Sequence, residues 1–503
     1  MEKRRRPRWR DMAHLRLPIP RGRTIEHSAR DLETLLWWSA TAADNSVTRK
    51  TWFVPSTPTD LNRAIADARR LGAAGIEVRS DVFDGRPELA DSVDLIASLR
   101  HAAPSWLSGF PGVHAWDIDV EYASEIEADQ FNKLPDWIIL SAHPDGVHRG
   151  DLDRLAAAHQ RLADILEVST KRIELKYAPS VLDFDEFATL LDMVPALREM
   201  APKTTVLPTS RDFAWARPIF AEGNATNYLP VGLRSRDPDH PTPTDFNEML
   251  PHLAGPAPTR FDALLGHPVH SSQGALWHRR ASLLPRRRGS GGATATSMGA
   301  HNKSTPHTSY LLIPTHREDF DDALKALEPL PIRGLSITSP LKRKAADSPR
   351  ISASDALPAL NTLRRAADDD HRPWTGTDTD TEGMIESLKW FESNGVGPGR
   401  AVVFGRGGAS HAILRGLNAR GWELVAHLSA RKGWSTEHRQ LEPIDLIVHA
   451  AGPQVSRSEH TPSTRAWLDL HYVDVAEPPP DTLHLQGDRF FAAQAEAQRR
   501  FWE

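Results

Sequence analysis

Short apolar runs alternate with helical stretches from Thr51 onward, over about 200 residues. Trp52-Phe53-Val54 and Gly75-Ile76-Glu77-Val78 are examples of the runs, and Leu61 to Leu71 has helical periodicity. Further strands are predicted at 95–97, 116–120, 137–141, 173–177 and 204–208. Strand–helix alternation with polar residues at strand ends is typical of parallel barrels. The sequence therefore predicts an α/β fold that begins with an N-terminal (β/α) barrel.

Composition sets the scale of the molecule. At roughly 150 residues per domain, the 503 residues suggest about three domains. The hydrophobic fraction of 40% supplies enough apolar material for buried cores, which argues against wholesale disorder. The net charge of −5 gives no reason to expect a polyanionic partner, so we predict no nucleic-acid binding.

The chain contains no cysteine. This excludes disulfide scaffolds, thiolate metal sites and a cysteine nucleophile, and we predict no metal site. No apolar run approaches the roughly 18 residues that span a bilayer, and no apolar region follows the basic start of the chain. The expectation is a soluble, cytoplasmic protein without a membrane partner.

Composition shifts divide the chain. Residues 1–50 are Arg-rich and are predicted to form a flexible basic tail, the alternative being a basic anchor for a polyanion or partner. The barrel is predicted over 51–254, and 251–258 has the composition of a linker. A second α/β region follows. Its Gly/Ser/Thr-rich stretch over 286–308 is predicted to be a disordered loop rather than a binding element.

The predicted barrel strands carry charged side chains. Glu77, Arg79 and Asp81 alternate along one strand and so face the same side. His143 follows another strand, and Lys176 lies within the next. Burial can lower the pKa of a lysine, which makes the amine a usable nucleophile toward a ketone, and a histidine nearby can move protons. The alternative is that Lys176 snorkels and His143 is a satisfied core histidine.

These residues resemble the type I 3-dehydroquinate dehydratases over about residues 51–250, which implies that the N-terminal barrel is a (β/α)8 TIM barrel. The matching pieces are Glu77-Val78-Arg79-Ser80-Asp81, Arg100, Ser141-Ala142-His143, Lys176 and Arg217. The resemblance implies that Lys176 forms a Schiff base with the substrate ketone and that His143 is the general acid/base. It also implies that Glu77, Arg79, Arg100 and Arg217 bind the substrate. Pro104 stands where the family has a Glu that orients the histidine, so support for the base is expected to be thinner.

The second region carries a denser set of polar motifs. These are Gly266 to Ser271, Gly334-Leu335-Ser336-Ile337-Thr338-Ser339-Pro340-Leu341-Lys342, Asn361-Thr362 and Gly376 to Asp380. Lys342 and Asp380 supply an ammonium and a carboxylate. Held close, the two groups can shuttle a proton at a carbonyl or alcohol.

A glycine-rich turn, Gly405 to Ser410, follows the predicted strand Ala401 to Phe404 and leads into a helix. This pattern lets backbone N–H groups approach a pyrophosphate at the helix N-terminus. The next strand, 422–428, is followed by Ser429-Ala430-Arg431-Lys432, without an acidic residue for a ribose 2′-hydroxyl. Cations there suit a 2′-phosphate, which favours NADP over NAD. The alternative for the two cations is a solvated turn.

This half resembles shikimate dehydrogenase over about residues 260–503. The resemblance implies a substrate-binding lobe over 259–395 plus 487–503 and an NADP-binding Rossmann lobe over 396–486. It implies that Lys342 and Asp380 are catalytic. The implied substrate-binding residues are Ser271, Thr338, Asn361 and Gln494, and the implied cofactor-binding residues are Gly405, Arg406, Gly407, Gly408, Ala409, Ser429, Arg431 and Lys432.

Together the two resemblances imply a bifunctional enzyme. It would dehydrate 3-dehydroquinate to 3-dehydroshikimate and then reduce the product to shikimate with NADPH, so its partners would be small molecules. Two alternatives stay open at this point. In the first, only the dehydrogenase half is active, on shikimate or quinate. In the second, the chain is a degenerate regulatory sensor. The sequence does not give the oligomeric state.

Overall fold

The computed structural model describes residues 50–231 and 260–503, with internal gaps. In the first range the gaps are 56, 72, 89–92, 111, 128–133 and 211. In the second they are 270–271, 273, 275–276, 279–307, 354–355, 367–371, 430–440, 442, 452–460, 471–477 and 479–480. Three predicted segments, the tail over 1–50, the linker over 251–258 and the disordered loop over 286–308, lie outside the described residues, apart from positions 50 and 308.

The chain divides into two compact units at Thr259/Arg260. The first unit contains eight strands: β1 Thr51–Pro55, β2 Gly75–Arg79, β3 Asp94–Leu99, β4 Ala115–Asp119, β5 Trp137–Ala142, β6 Ile173–Tyr177, β7 Thr204–Val206 and β8 Asn227–Val231. Its helices are α1 Leu61–Leu71, α2 Asp151–Ile165, α3 Phe184–Met200 and α4 Arg217–Phe220. The predicted strands from 52 to 208 are confirmed, whereas the sequence patterns did not predict β8.

The eight strands form one parallel sheet in the order β7-β6-β5-β4-β3-β2-β1-β8. The sheet nearly closes on itself, because the amide of Ala225, just before β8, donates to the carbonyl of Thr204 on β7 over 3.0 Å. The carboxyl ends of all eight strands therefore meet at one rim. Within the described residues between β2 and β5 there is no α-helix, only a 3₁₀ turn at Pro104–Gly109.

Strand β6 shows why polar groups point into this sheet. Ile173, Leu175 and Tyr177 are buried on one side, and the intervening Glu174 and Lys176 face the other side. The helices pack on the apolar side; the carboxylate of Asp183, for example, caps α3 by accepting the amide of Glu186 over 2.8 Å. The enclosed side is polar, which is costly unless its charges pair with each other or with a ligand.

The second unit contains two sheets. A six-stranded mixed sheet has the order β10-β9-β11-β13-β14-β12 and is built from β9 Arg260–Gly266, β10 Thr308–Pro314, β11 Ile332–Ile337, β12 Ile351–Ala353, β13 Thr362–Arg365 and β14 Trp374–Thr377. A five-stranded parallel sheet has the order β16-β15-β17-β18-β19 and is built from β15 Arg400–Phe404, β16 Glu423–Leu428, β17 Ile444–His449, β18 Thr464–Asp469 and β19 Leu483–Gln486. The helices are α5 Phe320–Leu327, α6 Lys342–Asp347, α7 Asp380–Ser393, α8 Ser410–Ala419 and α9 Asp488–Trp502.

The parallel sheet has a Rossmann-like arrangement. Its first strand, β15, pairs with β16 on one side and with β17 on the other, so the strand order reverses at β15, which is the switch point of the sheet. Its core is formed by α7, α8 and the strands, with Phe391, Val403 and Leu468 fully buried. The last helix, α9, returns to the mixed sheet, where the indole of Trp502 donates to the carbonyl of Leu363 over 2.9 Å. Of the described helices, none is long and apolar enough to span a membrane.

Candidate active sites

A buried lysine occupies the centre of the first unit. Lys176 is 3% exposed, and its ammonium donates to Asp117 over 2.7 Å and to Glu77 over 3.2 Å. It also lies 3.9 Å from the ring centroid of Tyr228, within cation–π range. Burial alone would raise the pKa of Asp117, but the charges of Lys176 and Arg100 hold that pKa well below its usual range. The lysine therefore lies in an ionic cluster rather than snorkelling to the surface.

Arg100 contacts three carboxylates, which come from the two strands β2 and β4. Its guanidinium donates to Asp117 over 3.1 Å and lies 3.8 Å from Glu77 and 3.5 Å from Asp119. It also donates to the hydroxyl of Ser141 over 3.0 Å. The side chain is 11% exposed, so most of its donors are used by the protein itself. Arg100 thus balances the charge of the cluster, and it also lines a cavity at the carboxyl ends of the strands.

His143 lies at the rim where β5 ends. Its Nδ1 is 2.7 Å from the carboxylate of Asp119, and the ring keeps 33% of its surface exposed. Partial removal from water at the rim disfavours the charged imidazolium, and the positive charges of Arg100 and Lys176 add to that effect and outweigh the opposing contribution of Asp119. The pKa of His143 is consequently lowered to about 4. The imidazole is neutral at physiological pH, as a general base requires.

These groups line a cavity of about 320 Å³ at the carboxyl ends of the strands. Arg79, bound to Asp81 through two hydrogen bonds of 2.9 and 2.5 Å, lies on its wall. Arg217 also lines it and is anchored by a 2.8 Å hydrogen bond from Nε to the carbonyl of Pro208. The structure therefore brings together all six residues predicted for this unit, which are Glu77, Arg79, Arg100, His143, Lys176 and Arg217.

Two carboxylates of this site were missed by the sequence reasoning. Asp117 and Asp119 alternate along β4, with Trp116 and Ile118 between them facing the other way. That period-two spacing, in a strand that was itself predicted, is the same signal that singled out Glu77 and Arg79. Applied to residues 116–120, it would have found both aspartates.

In the second unit, Lys342 pairs with Asp380 at the start of α7. The amide nitrogen of Asn361 donates to the other oxygen of Asp380 over 2.7 Å and to Thr379 over 3.0 Å. The side-chain oxygen of Asn361 accepts the amide of Thr379 over 2.8 Å. Lys342, Asn361 and Asp380 therefore form one bonded group, with Asp380 only 2% exposed.

A second carboxylate lies beside this pair. Asp378 accepts the backbone amide of Asp380 over 3.0 Å and the hydroxyl of Thr381 over 2.6 Å. The guanidinium of Arg415 is 3.7 Å away. Burial, together with the negative charge of Asp380, raises the pKa of Asp378 to about 6. This group therefore changes charge near the lower end of the physiological pH range.

The glycine-rich turn lies directly after β15, at the switch point of the parallel sheet. Gly405 has φ +128°, and a Cβ there would lie 2.5 Å from the carbonyl oxygen of Ala450, so only glycine fits. A Cβ on Gly407 would meet open space, and one on Gly408 would lie 3.2 Å from Cδ of Lys342. The turn thus combines an open backbone surface with close contact to the Lys342–Asp380 pair.

The remaining predicted residues fall into two groups. Thr338 is half-buried after β11, Arg406 donates to the carbonyl of His427 over 2.7 Å, and Ala409 and Ser429 are partly buried near the turn and at the end of β16. Gln494 is half-buried on α9. The other group, Ser271, Arg431 and Lys432, lies outside the described residues.

Gln498, one helical turn beyond Gln494, was missed. It is 2% exposed, and its amide nitrogen donates to the carbonyl of Asn361 over 3.2 Å. Its oxygen accepts from Ser336 over 3.0 Å and lies 3.1 Å from His278. Gln498 therefore ties α9 to Asn361, directly before β13, and to Ser336 on β11. The i, i+4 spacing from Gln494 was the signal that could have found it.

The two units define a class: an α/β protein with two lysine–carboxylate sites, one of them against a turn of nucleotide-binding geometry. Among the described residues no group of three His, Asp or Glu side chains is placed to hold a metal ion. No family model matches the chain.

Curated relatives are more specific. A shikimate dehydrogenase (NADP(+)) of Prochlorococcus marinus strain MIT 9215 is 36% identical over 110 residues, which are 22% of this chain and 36% of that protein. One from Oleidesulfovibrio alaskensis is 28% identical over 209 residues, 38% of this chain and 70% of that protein. The chain thus spans about a third of the length of the Prochlorococcus relative. Dehydroquinate dehydratase and shikimate dehydrogenase from S. pombe matches as a solved structure at TM-score 0.36 and 15% identity, covering 90% of this chain and 96% of that one.

Proposed function

We propose that this chain is a bifunctional shikimate-pathway enzyme whose first unit, a (β/α)8 barrel, dehydrates 3-dehydroquinate and whose second unit reduces 3-dehydroshikimate with NADPH. The carrying observation is a lysine together with a candidate acid/base group in each unit: Lys176 and neutral His143 line one cavity, and Lys342 is paired with Asp380. The domain ranges 51–254, 259–395 plus 487–503, and 396–486 are part of the proposal.

In the first reaction the amine of Lys176 attacks the substrate ketone. A C–N bond forms and water leaves, giving an imine that acidifies the adjacent C–H. Lys176 must first lose its ammonium proton, and the carboxylate of Glu77, 3.2 Å away, is within hydrogen-bond distance to accept it. Neutral His143 then takes the carbon-bound proton and returns it to the departing hydroxyl. Hydrolysis of the imine releases the alkene product and restores Lys176.

Arginines suit the rest of this substrate. Arg217 and Arg79 line the cavity and present cationic groups to a carboxylate or hydroxyl. Arg100 is committed to Asp117 and Ser141 and contributes mainly by balancing the charge around Lys176.

In the second reaction the Lys342–Asp380 pair moves the proton. When the ketone is reduced, Lys342 donates a proton to the developing alkoxide, and Asp380 stabilises the ammonium beforehand. Asn361 fixes the orientation of Asp380 through a 2.7 Å hydrogen bond. Thr338, Ser271 and Gln494 are the proposed substrate contacts.

The turn at 405–409 fits a dinucleotide. Gly405 has a positive φ, and the space over Gly407 is open. A pyrophosphate could therefore approach the backbone of the turn at the start of α8 without meeting a side chain at Gly407. Gly405 to Ala409 would hold the pyrophosphate, and Ser429, Arg431 and Lys432 would meet the 2′-phosphate. The cofactor is NADP, as in the names of the curated relatives. When bound, it supplies the hydride.

Borohydride trapping tests the first activity. The full chain is incubated with 3-dehydroquinate and sodium borohydride, and the modified peptide is located by mass spectrometry. We expect a reduced adduct on Lys176 and none in Lys176→Arg. An unmodified wild-type chain whose first unit is folded, as judged by hydrogen-exchange protection of β4 and β6, would refute imine chemistry.

NADPH consumption with 3-dehydroshikimate tests the second activity. Lys342→Ala should lower kcat by about 10²-fold or more, because the proton donor is lost. Lys389→Ala, which removes an exposed lysine of α7 paired with Glu386, is the matched control and should retain full turnover. Equal rates for wild type and Lys342→Ala would exclude the assigned role.

A second candidate is a chain in which only the dehydrogenase works, on shikimate or quinate. It is favoured by the curated relatives, which are named for the dehydrogenase alone. Turnover with NADPH in a chain that is never trapped at Lys176 would establish this alternative.

A further inference from the structure

Asp119 and His143 come from neighbouring strands of the first unit and form a close pair. The register places Asp119 on β4 opposite Ser141 on β5, two residues before His143. The carboxylate oxygen Oδ2 of Asp119 lies 2.7 Å from Nδ1 of His143. The other oxygen, Oδ1, accepts the backbone amide of Glu121 over 3.0 Å, so the carboxylate is fixed on both sides.

The same ring nitrogen has a second neighbour of opposite character. Nη1 of Arg100 lies 3.2 Å from Nδ1 of His143. A guanidinium only donates hydrogen bonds, and an ionised carboxylate only accepts them. Arg100 and Asp119 therefore select opposite tautomers of the neutral imidazole. With the proton on Nδ1 the ring donates to Asp119 and Nε2 is an available base; with the proton on Nε2 the ring accepts from Arg100 and the base is lost.

We infer that Asp119 is the positioning residue of the first site, holding His143 as the Nδ1–H tautomer against Arg100 and so leaving Nε2 as the base. This rests on the proposed dehydratase function. The contact at 2.7 Å is shorter than the 3.2 Å approach of Arg100, and Arg100 has Ser141 and Asp117 as other acceptors.

The charge state of Asp119 supports this assignment. Burial would raise the pKa of Asp119, but the hydrogen bond and charge of His143, the amide of Glu121 and the charge of Arg100 together hold it below its ordinary value. The carboxylate is therefore ionised wherever His143 is neutral. The ionised carboxylate can accept a hydrogen bond from Nδ1–H, but it has no proton to donate to an unprotonated Nδ1.

Pro104, at the position where the resembled family has a glutamate, carries no side-chain acceptor for His143. The residue opens a 3₁₀ turn, Pro104–Gly109. The sequence departure at this position therefore does not leave the base unsupported. Asp119 reaches the ring from the neighbouring strand instead.

The test reads the tautomer directly. The full chain is labelled with ¹⁵N-histidine, and long-range ¹H–¹⁵N spectra are recorded without substrate. His143→Gln identifies the resonance among the 23 histidines by its disappearance. We expect Nδ1 to be protonated in the wild type, and Asp119→Ala to move the proton to Nε2, because Arg100 is then the closer partner.

The kinetic arm measures dehydration. We expect Asp119→Ala to lower kcat by about 10²-fold or more and to change KM by less than about threefold, since Asp119 acts through His143 and not on the substrate. Asp192→Ala is the matched control. It removes a carboxylate of the same unit that is 64% exposed and paired with Arg149, and it should leave both spectrum and rate unchanged.

The outcomes are separable. If Asp119→Ala keeps the wild-type tautomer, or keeps kcat within twofold, the positioning role is wrong. Should that variant fail to fold, Asp119→Asn keeps the shape of the side chain and removes its charge. The tautomer of His143 and kcat are then measured in Asp119→Asn, and both are expected to change less than in Asp119→Ala. A wild type that shows the Nδ1–H tautomer but never dehydrates 3-dehydroquinate would overturn the proposed function while leaving the tautomer assignment intact.

Discussion

The ionic cluster around Lys176 gives a quantitative prediction. Lys176→Met keeps an unbranched side chain one atom shorter and removes its charge, which leaves Asp117 and Glu77 as buried carboxylates without their main partner. Breaking a buried ion pair typically costs about 3–5 kcal/mol. Arg100 remains 3.1 Å from Asp117 and 3.8 Å from Glu77, so we expect the lower end, about 3 kcal/mol.

Asp117→Asn provides the second arm of a double-mutant cycle. It removes the carboxylate 2.7 Å from the ammonium but leaves Glu77 at 3.2 Å, so we expect a loss of about 2 kcal/mol. The double variant Lys176→Met/Asp117→Asn removes both charges together. Its loss should be about 3 kcal/mol, which is a coupling of about 2 kcal/mol between the two side chains.

The assay must report on one unit of a two-unit chain, because a single global transition is not defined for such a protein. Hydrogen exchange with mass spectrometry meets this need: peptides over β4 and β6 give the free energy of opening for the first unit. Peptides over β15 and β17 are the internal control and should be unchanged. Additive losses, with a coupling below about 0.5 kcal/mol, would refute the cluster as a source of stability.

Two further predictions concern the second unit. The folded-state pKa of Asp378, about 6, exceeds its ordinary 3.8, so the folded protein holds a proton that the unfolded chain releases. Stability therefore falls as pH rises through that window, and Asp378→Asn should stabilise the second unit around the start of α7 by on the order of 1–3 kcal/mol near pH 8 and little near pH 4, measured by hydrogen exchange of peptides over that segment; equal effects at both pH values would contradict it. Gly405→Ala adds a Cβ 2.5 Å from the Ala450 carbonyl at φ +128°, so it should cost about 3 kcal/mol or more and abolish NADPH binding in a calorimetric titration. Gly397→Ala, whose Cβ meets open space, is the control and should stay within about 0.5 kcal/mol; similar losses in both would exclude the steric argument.

Local patterns predicted the strands well because strand formation in a buried sheet depends on side chains two residues apart. Residues 173–177 read as a strand and form β6 over the same residues, and 137–141 differs from β5 by one residue. Strand β8 was missed. Its segment, Asn227–Val231, contains Pro230 and opens with Asn, both of which disfavour a strand by propensity. Pairing with β1 along five residues outweighs that preference.

The sequence by itself singled out the side chains that we propose react. Lys176, His143, Lys342 and Asp380 stand in or at the end of predicted strands or within short motifs, and the resemblance of those motifs to two enzyme families gave each residue its proposed role. It also placed the glycine-rich turn, since a buried strand followed by glycines is a local signal.

Only the tertiary structure decided what surrounds those side chains. Asp117 is 59 residues from Lys176, and Asp119 is 24 residues from His143, and each pair meets because parallel strands bring their carboxyl ends to one rim. Whether His143 is neutral, and on which nitrogen it carries its proton, depends on charges within a few ångströms and on exclusion of water. Distance and burial are properties of the folded chain, and no local pattern contains them.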